Sequence, residues 1–348
     1  MKISPRPYIP TLLLLAFSLA ALIACKESVV ISSCLNRYVA SQIRILLGVL
    51  SSIFPFSLFE LFLAALPLLI ISALFYIFCA SEIKEINKRF FALVSVAVIC
   101  LFSFAFTLGV AYNSVPLASS LVIVDAECDT DDIALAAEYL TREANRLAGG
   151  SEELDYRAIR DSLAKSYSSI LGSKSLAANF LPTPKRLLLS ETFQKMGILA
   201  FYSYASGEIN INTKIPYSSL PFTLAHEYAH FLGASGEWDA SFMAFAACLH
   251  SDNDAVKYSG YISALECFLS EIRRNDKEMY TRVYNLLDKS VKEDIISYSN
   301  FASDGNAPLF TVTDALNSVH LEIWDKRGKE SYSSFSTLVA IYIASISK

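Results

Sequence analysis

The sequence predicts an α+β protein in which helices dominate and transmembrane helices precede an exported domain. Three observations support this class: long apolar runs near the start, a change of composition after residue 112, and helical periodicity that a short strand region interrupts. Of the 348 residues, 53% are hydrophobic and 18% are charged, against about 45–50% and about 25% in an average soluble domain. The apolar excess indicates a membrane region at 1–112, followed by a second region at 113–348.

Three long apolar runs predict transmembrane helices at about 9–25, 58–80 and 90–112. A helix of about 20 mainly apolar residues crosses the roughly 30 Å hydrocarbon layer of a bilayer. We therefore expect a multi-pass membrane protein, with the lipid bilayer as one of its partners.

Basic residues in the short loops predict how these helices are oriented. Lys2 and Arg6 precede the first helix, and Lys84, Lys88 and Arg89 lie between the second and the third. Because Lys and Arg accumulate on the cytoplasmic side, the N-terminus is predicted to be cytoplasmic. The domain after the third helix is then extracytoplasmic, anchored in the cell (inner or plasma) membrane.

The first apolar run has a second interpretation. Its end, Leu22-Ile23-Ala24-Cys25, is similar to a lipoprotein cleavage box. In that case residues 1–25 are a signal segment, Cys25 is lipidated, and two spans remain.

The charge distribution excludes nucleic acid as a partner. Residues 1–112 contain 8 Lys/Arg and 4 Asp/Glu, whereas residues 113–348 contain 21 and 30. The net charge of −5 leaves the second region acidic, without the basic surface that phosphates require.

Cap residues, breakers and alternating apolar residues predict the elements of the exported domain. They are a helix from the Asp129 cap to Gly149-Gly150, a helix over Tyr156–Ile170, a strand over Lys185–Ser190, two short strands or a hairpin over Ile198–Thr213 with a turn near Ser206-Gly207, and a helix with Ser219 as N-cap and Pro221 in its first turn. After Phe242 the pattern is mostly helical. The strand Ile209–Thr213 is either an edge strand beside the Pro221 helix, open to an extended peptide, or an ordinary strand of the sheet.

The helix that begins near Pro221 contains an HExxH motif, His226-Glu227-Tyr228-Ala229-His230. Two imidazoles at positions i and i+4 lie on one face of a helix, so both can bind one zinc ion. Glu227 lies beside them and can take a proton from a zinc-activated water. The motif predicts Zn²⁺ as cofactor, with His226 and His230 as ligands and Glu227 as general base.

A third ligand is expected shortly after the motif. Gly233 can end the helix with a left-handed turn, and Glu237 and Asp239 open the next helix. A sharp turn would bring one of these two acids back to the histidines, and spacing alone leaves the choice open.

At these residues the chain resembles the zincin metallopeptidases, and more specifically an uncharacterised bacterial family of three-span, membrane-anchored zincins in which HExxHxxG is followed by E-x-E-A-N. The matching stretch is His226-Glu227-x-x-His230-x-x-Gly233-x-x-x-Glu237-x-Asp239-Ala240-Ser241. The resemblance implies a zincin-like domain with a small sheet and an active-site helix. It also implies that Glu237, at the usual gluzincin ligand position, is the third zinc ligand, with Asp239 as the alternative. The chain departs from the family pattern at Asp239 and at Ser241, where the family has Glu and Asn.

The chemistry also needs a donor for the developing oxyanion. Tyr258 and Tyr261 are the leading candidates, and His250, Tyr298 and His320 are others that the sequence does not rank.

The sequence thus predicts a membrane-anchored zinc metalloprotease that hydrolyses peptide bonds of a peptide or protein substrate near the membrane. Two alternatives stay open: a catalytically inactive zincin-fold binding module at the membrane, and a zinc amidase that acts on cell-wall material.

Overall fold

The computed structural model describes residues 8–80, 82–124, 126, 128–149, 154–172, 176–303 and 331–347. The chain divides into two compact units. The membrane unit comprises Met1–Val115 together with Ser203–Glu208, and the C-terminal unit comprises Pro116–Tyr202 together with Ile209–Lys348.

The described residues of the membrane unit form five α-helices: α1 (Ile9–Glu27), α2 (Val29–Leu35), α3 (Ser41–Ser52), α4 (Leu58–Phe78) and α5 (Ile83–Thr107). Three helical stretches, Ile9–Glu27, Leu58–Phe78 and Glu85–Ala111, are long and apolar enough to cross a membrane. The predicted membrane-spanning helices are therefore confirmed as helices of spanning length. Their orientation and the identity of the membrane stay predictions.

Charged side chains from distant parts of the sequence cap two of these helices. The Arg44 Nη1 donates to the carbonyl of Thr107, the last residue of α5, at 2.8 Å. At the start of α4, the Glu208 carboxylate accepts the backbone N–H groups of Leu58 and Phe59 at 2.9 and 3.1 Å. Both contacts satisfy backbone groups that a helix end leaves without an intrahelical partner, and each charge has the sign that the helix dipole favours.

Cys25 lies inside α1 and is only 3% exposed, packed in a small core with Ala40 and Val110. The Asn113 side chain donates to the carbonyl oxygen of Cys25 at 2.9 Å. The lipoprotein interpretation would place a lipid on a side chain that this unit buries.

The C-terminal unit contains ten described α-helices and the larger part of a three-stranded sheet. The helices are α6 (Thr130–Leu147), α7 (Tyr156–Leu171), α8 (Leu176–Asn179), α9 (Ser190–Lys195), α10 (Leu220–Leu232), α11 (Glu237–Leu249), α12 (Asp254–Asn275), α13 (Lys277–Leu286), α14 (Lys289–Ser303) and α15 (Ser331–Ile346). The strands are β1 (Lys185–Arg186), β2 (Ala200–Ser203) and β3 (Glu208–Ile211). The helix-dominated architecture with a small sheet is confirmed.

The sheet has the order β1-β3-β2. β1 is parallel to β3, with Lys185 opposite Asn210 and Arg186 opposite Ile211. β3 is therefore the central strand of the described sheet. Of the two alternatives for Ile209–Thr213, the ordinary strand of the sheet is confirmed and the edge strand is wrong, because β1 pairs with β3 on the side away from β2. β2 lies at an edge of the described sheet.

Local sequence signals explain where the helices begin and end. Asp129 and Asp132 form a reciprocal capping box at the start of α6, as expected. The predicted strand over residues 185–190 is shorter in the structure, because α9 begins at Ser190 and the Ser190 hydroxyl donates to the carbonyl of Leu187 at 2.6 Å. Ser219 stands at the N-cap position of α10, but its side chain makes no capping hydrogen bond, contrary to expectation.

The apolar side of α10 is buried and fixes the rotation of the helix. Leu224, Ala225 and Phe231 are fully buried. The Tyr167 hydroxyl donates to the carbonyl of Ala225 at 2.7 Å. Because these contacts hold one face of α10 inside the unit, the opposite side of the helix presents its polar residues in a fixed direction.

Candidate metal centre

His226 and His230 lie on one face of α10 and point their Nε2 atoms at each other. The two Nε2 atoms are 3.1 Å apart, and the side chains are 17% and 12% exposed. The i, i+4 spacing on a helix produces this arrangement, as the motif predicts.

The other nitrogen of each imidazole has a partner that fixes the ring. His230 Nδ1 lies 2.7 Å from the carbonyl oxygen of Ala234. Since a carbonyl can only accept, Nδ1 carries the proton, and in the neutral ring Nε2 keeps a free lone pair. His226 Nδ1 lies 3.2 Å from the Ser241 hydroxyl oxygen. Both rings are thus held from behind with Nε2 facing the cluster, the arrangement in which outer partners orient metal-binding histidines.

The turn after α10 brings an acid to the imidazoles. Gly233 has φ +114°, and its N–H bonds to the carbonyl of Ala229, which ends the helix in the expected left-handed turn. α11 then begins at Glu237. The Glu237 carboxylate lies 3.2 Å from His226 Nε2 and 3.6 Å from His230 Nε2.

The three side chains form a donor set that fits a zinc ion. One nitrogen from each of His226 and His230 and one oxygen from Glu237 all lie within 4.8 Å of one another. Two imidazoles and one carboxylate are the ligands of many catalytic zinc sites, which leave a fourth position for water or substrate. Because the carboxylate and the His230 Nε2 are acceptors, a cation at this position would offset their mutual repulsion.

Asp239, the alternative third ligand, has a different position. Its two carboxylate oxygens accept the backbone N–H groups of Leu117 and Ala118 at 3.0 and 2.8 Å. These bonds cap a short 3₁₀ helix, Leu117–Ser120. Within the described residues, the structure therefore brings Glu237 rather than Asp239 to the histidines.

Glu227 lies between the two histidines in sequence and is 7% exposed. Burial raises its pKa to about 7, and the Glu237 charge raises it as well, while His230 and a hydrogen bond from the backbone of Tyr202 act in the opposite direction. A carboxyl with a pKa near neutrality can both take up and release a proton at physiological pH.

The candidates for an oxyanion donor have other partners. The Tyr258 hydroxyl donates to Asp294 Oδ2 at 2.6 Å. Tyr261 forms a hydrogen bond with Tyr139, and burial raises the pKa of both Tyr258 and Tyr261. These contacts assign both tyrosines to the packing around α12 rather than to the His226–His230 cluster.

Of the three remaining candidates, His250 has a partner within its own helix. The His250 Nδ1 lies 2.9 Å from the carbonyl oxygen of Ala246, in the same helix. Tyr298 belongs to α14. His320 lies outside the described residues.

Sequence reasoning missed the contribution of β2. The backbone of Tyr202 on this strand bonds to the Glu227 carboxylate, and the Tyr202 ring packs edge-on against Phe231 of α10, with ring centroids 6.1 Å apart. The alternating pattern, for which an edge strand was one of two alternatives, belongs to the central strand β3, and no sequence signal marked β2 as the strand beside Glu227.

The fold and the site define a helix-rich protein with membrane-spanning helices and a His-His-Glu cluster on a buried helix. Residues 36–340 match the family described as "Protein of unknown function (DUF3810)", and because this match covers most of the chain, the protein belongs to that family. No curated protein and no solved structure matches the chain.

Proposed function

We propose that this protein is a membrane-anchored zinc metallopeptidase of the zincin type that hydrolyses peptide bonds. One observation carries the proposal: the Nε2 atoms of His226 and His230 and the carboxylate of Glu237 converge within 4.8 Å, next to the buried Glu227. Metal-assisted hydrolysis requires ligands for a metal ion and a base for the attacking water, and these four residues offer both kinds of group.

Each residue of the site has a role in this proposal. His226, His230 and Glu237 hold zinc, which when bound acidifies water and polarises the scissile carbonyl. Glu227 takes a proton from the attacking water and delivers it to the leaving amine, for which a pKa of about 7 is well matched. The buried environment of Glu227 strengthens this proton transfer by excluding competing water.

The edge strand β2 supplies a way to bind an extended substrate. A peptide can add to a sheet edge through main-chain hydrogen bonds, which recognise the backbone rather than particular side chains. Since the backbone of Tyr202 on β2 bonds to Glu227, a peptide beside β2 would lie close to the proposed base. The membrane-spanning helices restrict the substrates to peptides or proteins at the membrane.

The first experiment measures zinc in the purified full-length protein by mass spectrometry, with and without His230→Ala. We expect about one zinc per chain in the wild type and a loss of most of it in the variant. His250→Ala is the matched control, because this histidine bonds within its own helix, and it should keep the zinc. Equal zinc content in all three proteins would contradict the proposed metal centre.

The second experiment incubates the zinc-loaded protein in nanodiscs with an unbiased peptide library. Cleavage that a chelator abolishes and added zinc restores supports a peptidase. Zinc binding without cleavage of any library peptide would contradict the peptidase and leave a zinc-binding module or an amidase.

A further inference from the structure

Asn212 is a buried asparagine that joins three segments of the C-terminal unit. It directly follows the central strand β3 and is 0% exposed. Its amide nitrogen donates to the carbonyls of Ser190 and Ile198 at 3.0 and 3.1 Å, and its Oδ1 accepts the N–H of Lys214 at 2.9 Å. Since a carbonyl oxygen can only accept, the amide nitrogen faces both carbonyls, and both of its hydrogens are used. One side chain therefore holds three points of the backbone together.

These bonds hold the start of β2. The Asn212 backbone N–H donates to the carbonyl of Leu199, next to Ile198, at 2.9 Å. The Ile198 N–H donates in turn to the carbonyl of Phe193 at 2.9 Å, and β2 begins at Ala200. β2 and β3 are four residues each, and so short a pair of strands is marginally stable by itself. The position of β2 therefore depends on the bonds that fix the backbone just before it.

β2 leads from these bonds to the proposed base. The backbone of Tyr202, two residues after the start of β2, bonds to the Glu227 carboxylate. The Tyr202 ring packs against Phe231 of α10, with ring centroids 6.1 Å apart. The Phe201 ring packs against Phe193 of α9, with ring centroids 5.7 Å apart. All of these residues belong to the C-terminal unit, so a shift at the start of β2 passes along a few residues of one unit to Glu227.

We propose that Asn212 is a positioning residue: by holding the start of β2, it keeps the backbone of Tyr202 within bonding distance of Glu227. The effect on catalysis rests on the proposed function, whereas the holding of β2 is independent of it. A catalytic group must be held to within about 0.5 Å of its productive position, so a displaced β2 lowers the rate of the chemical step. Since β2 is also the edge to which an extended substrate adds in the proposed function, its displacement weakens substrate binding as well.

The test uses the full-length protein in nanodiscs and compares two variants of Asn212 with the wild type. Asn212→Ala removes both amide donors and the Oδ1 acceptor, so two backbone carbonyls and one N–H lose this partner. Asn212→Ser keeps one hydroxyl and is the milder change, which serves if the alanine variant does not fold.

Two controls separate the loss of this contact from a general loss of stability. Asn145→Ala is the matched control, because the Asn145 amide in α6 donates to the carbonyl of Leu286 at 2.7 Å and accepts the N–H of Asp288 at 2.9 Å. It therefore removes the same kinds of bond at another place in the same unit. Glu191→Gln is the surface control, because Glu191 is an exposed glutamate that pairs with Lys195 on α9.

Amide hydrogen exchange is the first readout. In Asn212→Ala we expect exchange at residues 198–202 to rise about tenfold, with unchanged exchange in α14 and unchanged zinc content. Asn212→Ser should change the same segment by a smaller factor. Asn145→Ala should instead raise exchange near residues 286–288, and Glu191→Gln should change neither segment. Wild-type exchange at 198–202 in the folded Asn212 variants would overturn the inference.

Peptide cleavage is the second readout. We expect Asn212→Ala to lower kcat about tenfold and to raise KM by a smaller factor, whereas Asn145→Ala keeps both within twofold of the wild type. Wild-type kcat in Asn212→Ala, or a loss of zinc in proportion to the loss of kcat, would overturn the catalytic part. If the wild type binds zinc but cleaves nothing, the proposed function fails, while the exchange measurement still decides whether Asn212 holds β2. If Asn212→Ala does not fold, Asn212→Ser decides both questions through the same two measurements.

Discussion

Glu227 and Glu208 are two buried glutamates with opposite surroundings. Glu208, in the membrane unit, receives hydrogen bonds from two helix N–H groups and from the Ser206 hydroxyl, so its charge is shared among fixed donors. Glu227, in the C-terminal unit, lies among imidazoles and a second carboxylate, and its burial is strong enough to raise the pKa to about 7. The donors around Glu227 do not offset its desolvation.

The difference indicates which buried acids hold the fold together and which do chemistry. A carboxylate whose oxygens accept backbone N–H groups at the start of a helix stabilises that helix end. A carboxylate whose pKa lies near neutral pH can gain or lose a proton at low cost, as a general base must. Asp239 belongs to the first kind, since both of its oxygens accept backbone N–H groups.

The largest effect is expected from Glu227→Gln. The variant keeps the shape of the side chain but cannot accept a proton, so cleavage should fall by about 10²–10⁴-fold. Zinc content should stay at the wild-type value, because His226, His230 and Glu237 are unchanged. The measurement is kcat/KM on a peptide that the wild type cleaves, with Glu191→Gln as control. Activity within twofold of the wild type would show that Glu227 is not the base.

The next largest effect should separate Glu237 from Asp239. Glu237→Gln should weaken zinc binding by more than the 10- to 100-fold that is typical of outer-shell changes, because it removes a charged ligand. Asp239→Asn should leave the zinc affinity within a few-fold and instead lower the free energy of unfolding by about 1–3 kcal/mol, through the backbone N–H groups that it leaves poorly bonded. Competition with a chelator and thermal unfolding measure the two quantities. The reverse pattern would make Asp239 the ligand.

Much of the candidate site follows from local sequence. The i, i+4 spacing of His226 and His230 is enough to place both imidazoles together, and Gly233 is enough to predict the turn after them, because both depend on neighbouring residues. The class of fold and the three apolar helices follow from composition and run length in the same way.

The rest depends on contacts between residues that are far apart in the sequence. Glu208 and Leu58 are 150 positions apart, and Asp239 and Leu117 are 122 apart, so no local pattern shows that either acid is occupied by backbone donors. The central place of β3 depends on β1, whose two residues carry too little periodicity to reveal a partner. The sequence therefore left open whether Ile209–Thr213 is an edge strand or an ordinary strand of the sheet, although it predicted strands on both sides of the Ser206-Gly207 turn correctly.

A third prediction addresses the region around Glu208. Gly207→Ala should lower the free energy of unfolding by about 2–3 kcal/mol, because an unfavourable positive φ costs about 1–2 kcal/mol and the methyl group also meets the backbone of α3 at 2.6 Å. Gly172→Ala is the control: it has φ +82° but no atom within 4 Å of the new methyl group, so it should show the φ cost alone. Equal losses in the two variants would mean that the hairpin turn is not closely fitted.

The smallest effect is expected at Ser241, where the zincin family that the sequence resembles has asparagine. The Ser241 hydroxyl lies 3.2 Å from His226 Nδ1 and orients the ring from behind. Ser241→Ala should therefore weaken zinc binding by about tenfold, at the low end of outer-shell effects, because the Ala234 carbonyl still fixes His230. Ser241→Asn should restore most of the affinity, since its side chain also offers an acceptor and a donor. A zinc affinity in Ser241→Ala equal to that of the wild type would mean that packing alone orients the His226 ring. The contrast between Glu208, which hydrogen-bond donors hold, and Glu227, whose donors do not offset its burial, would then not extend to the imidazoles.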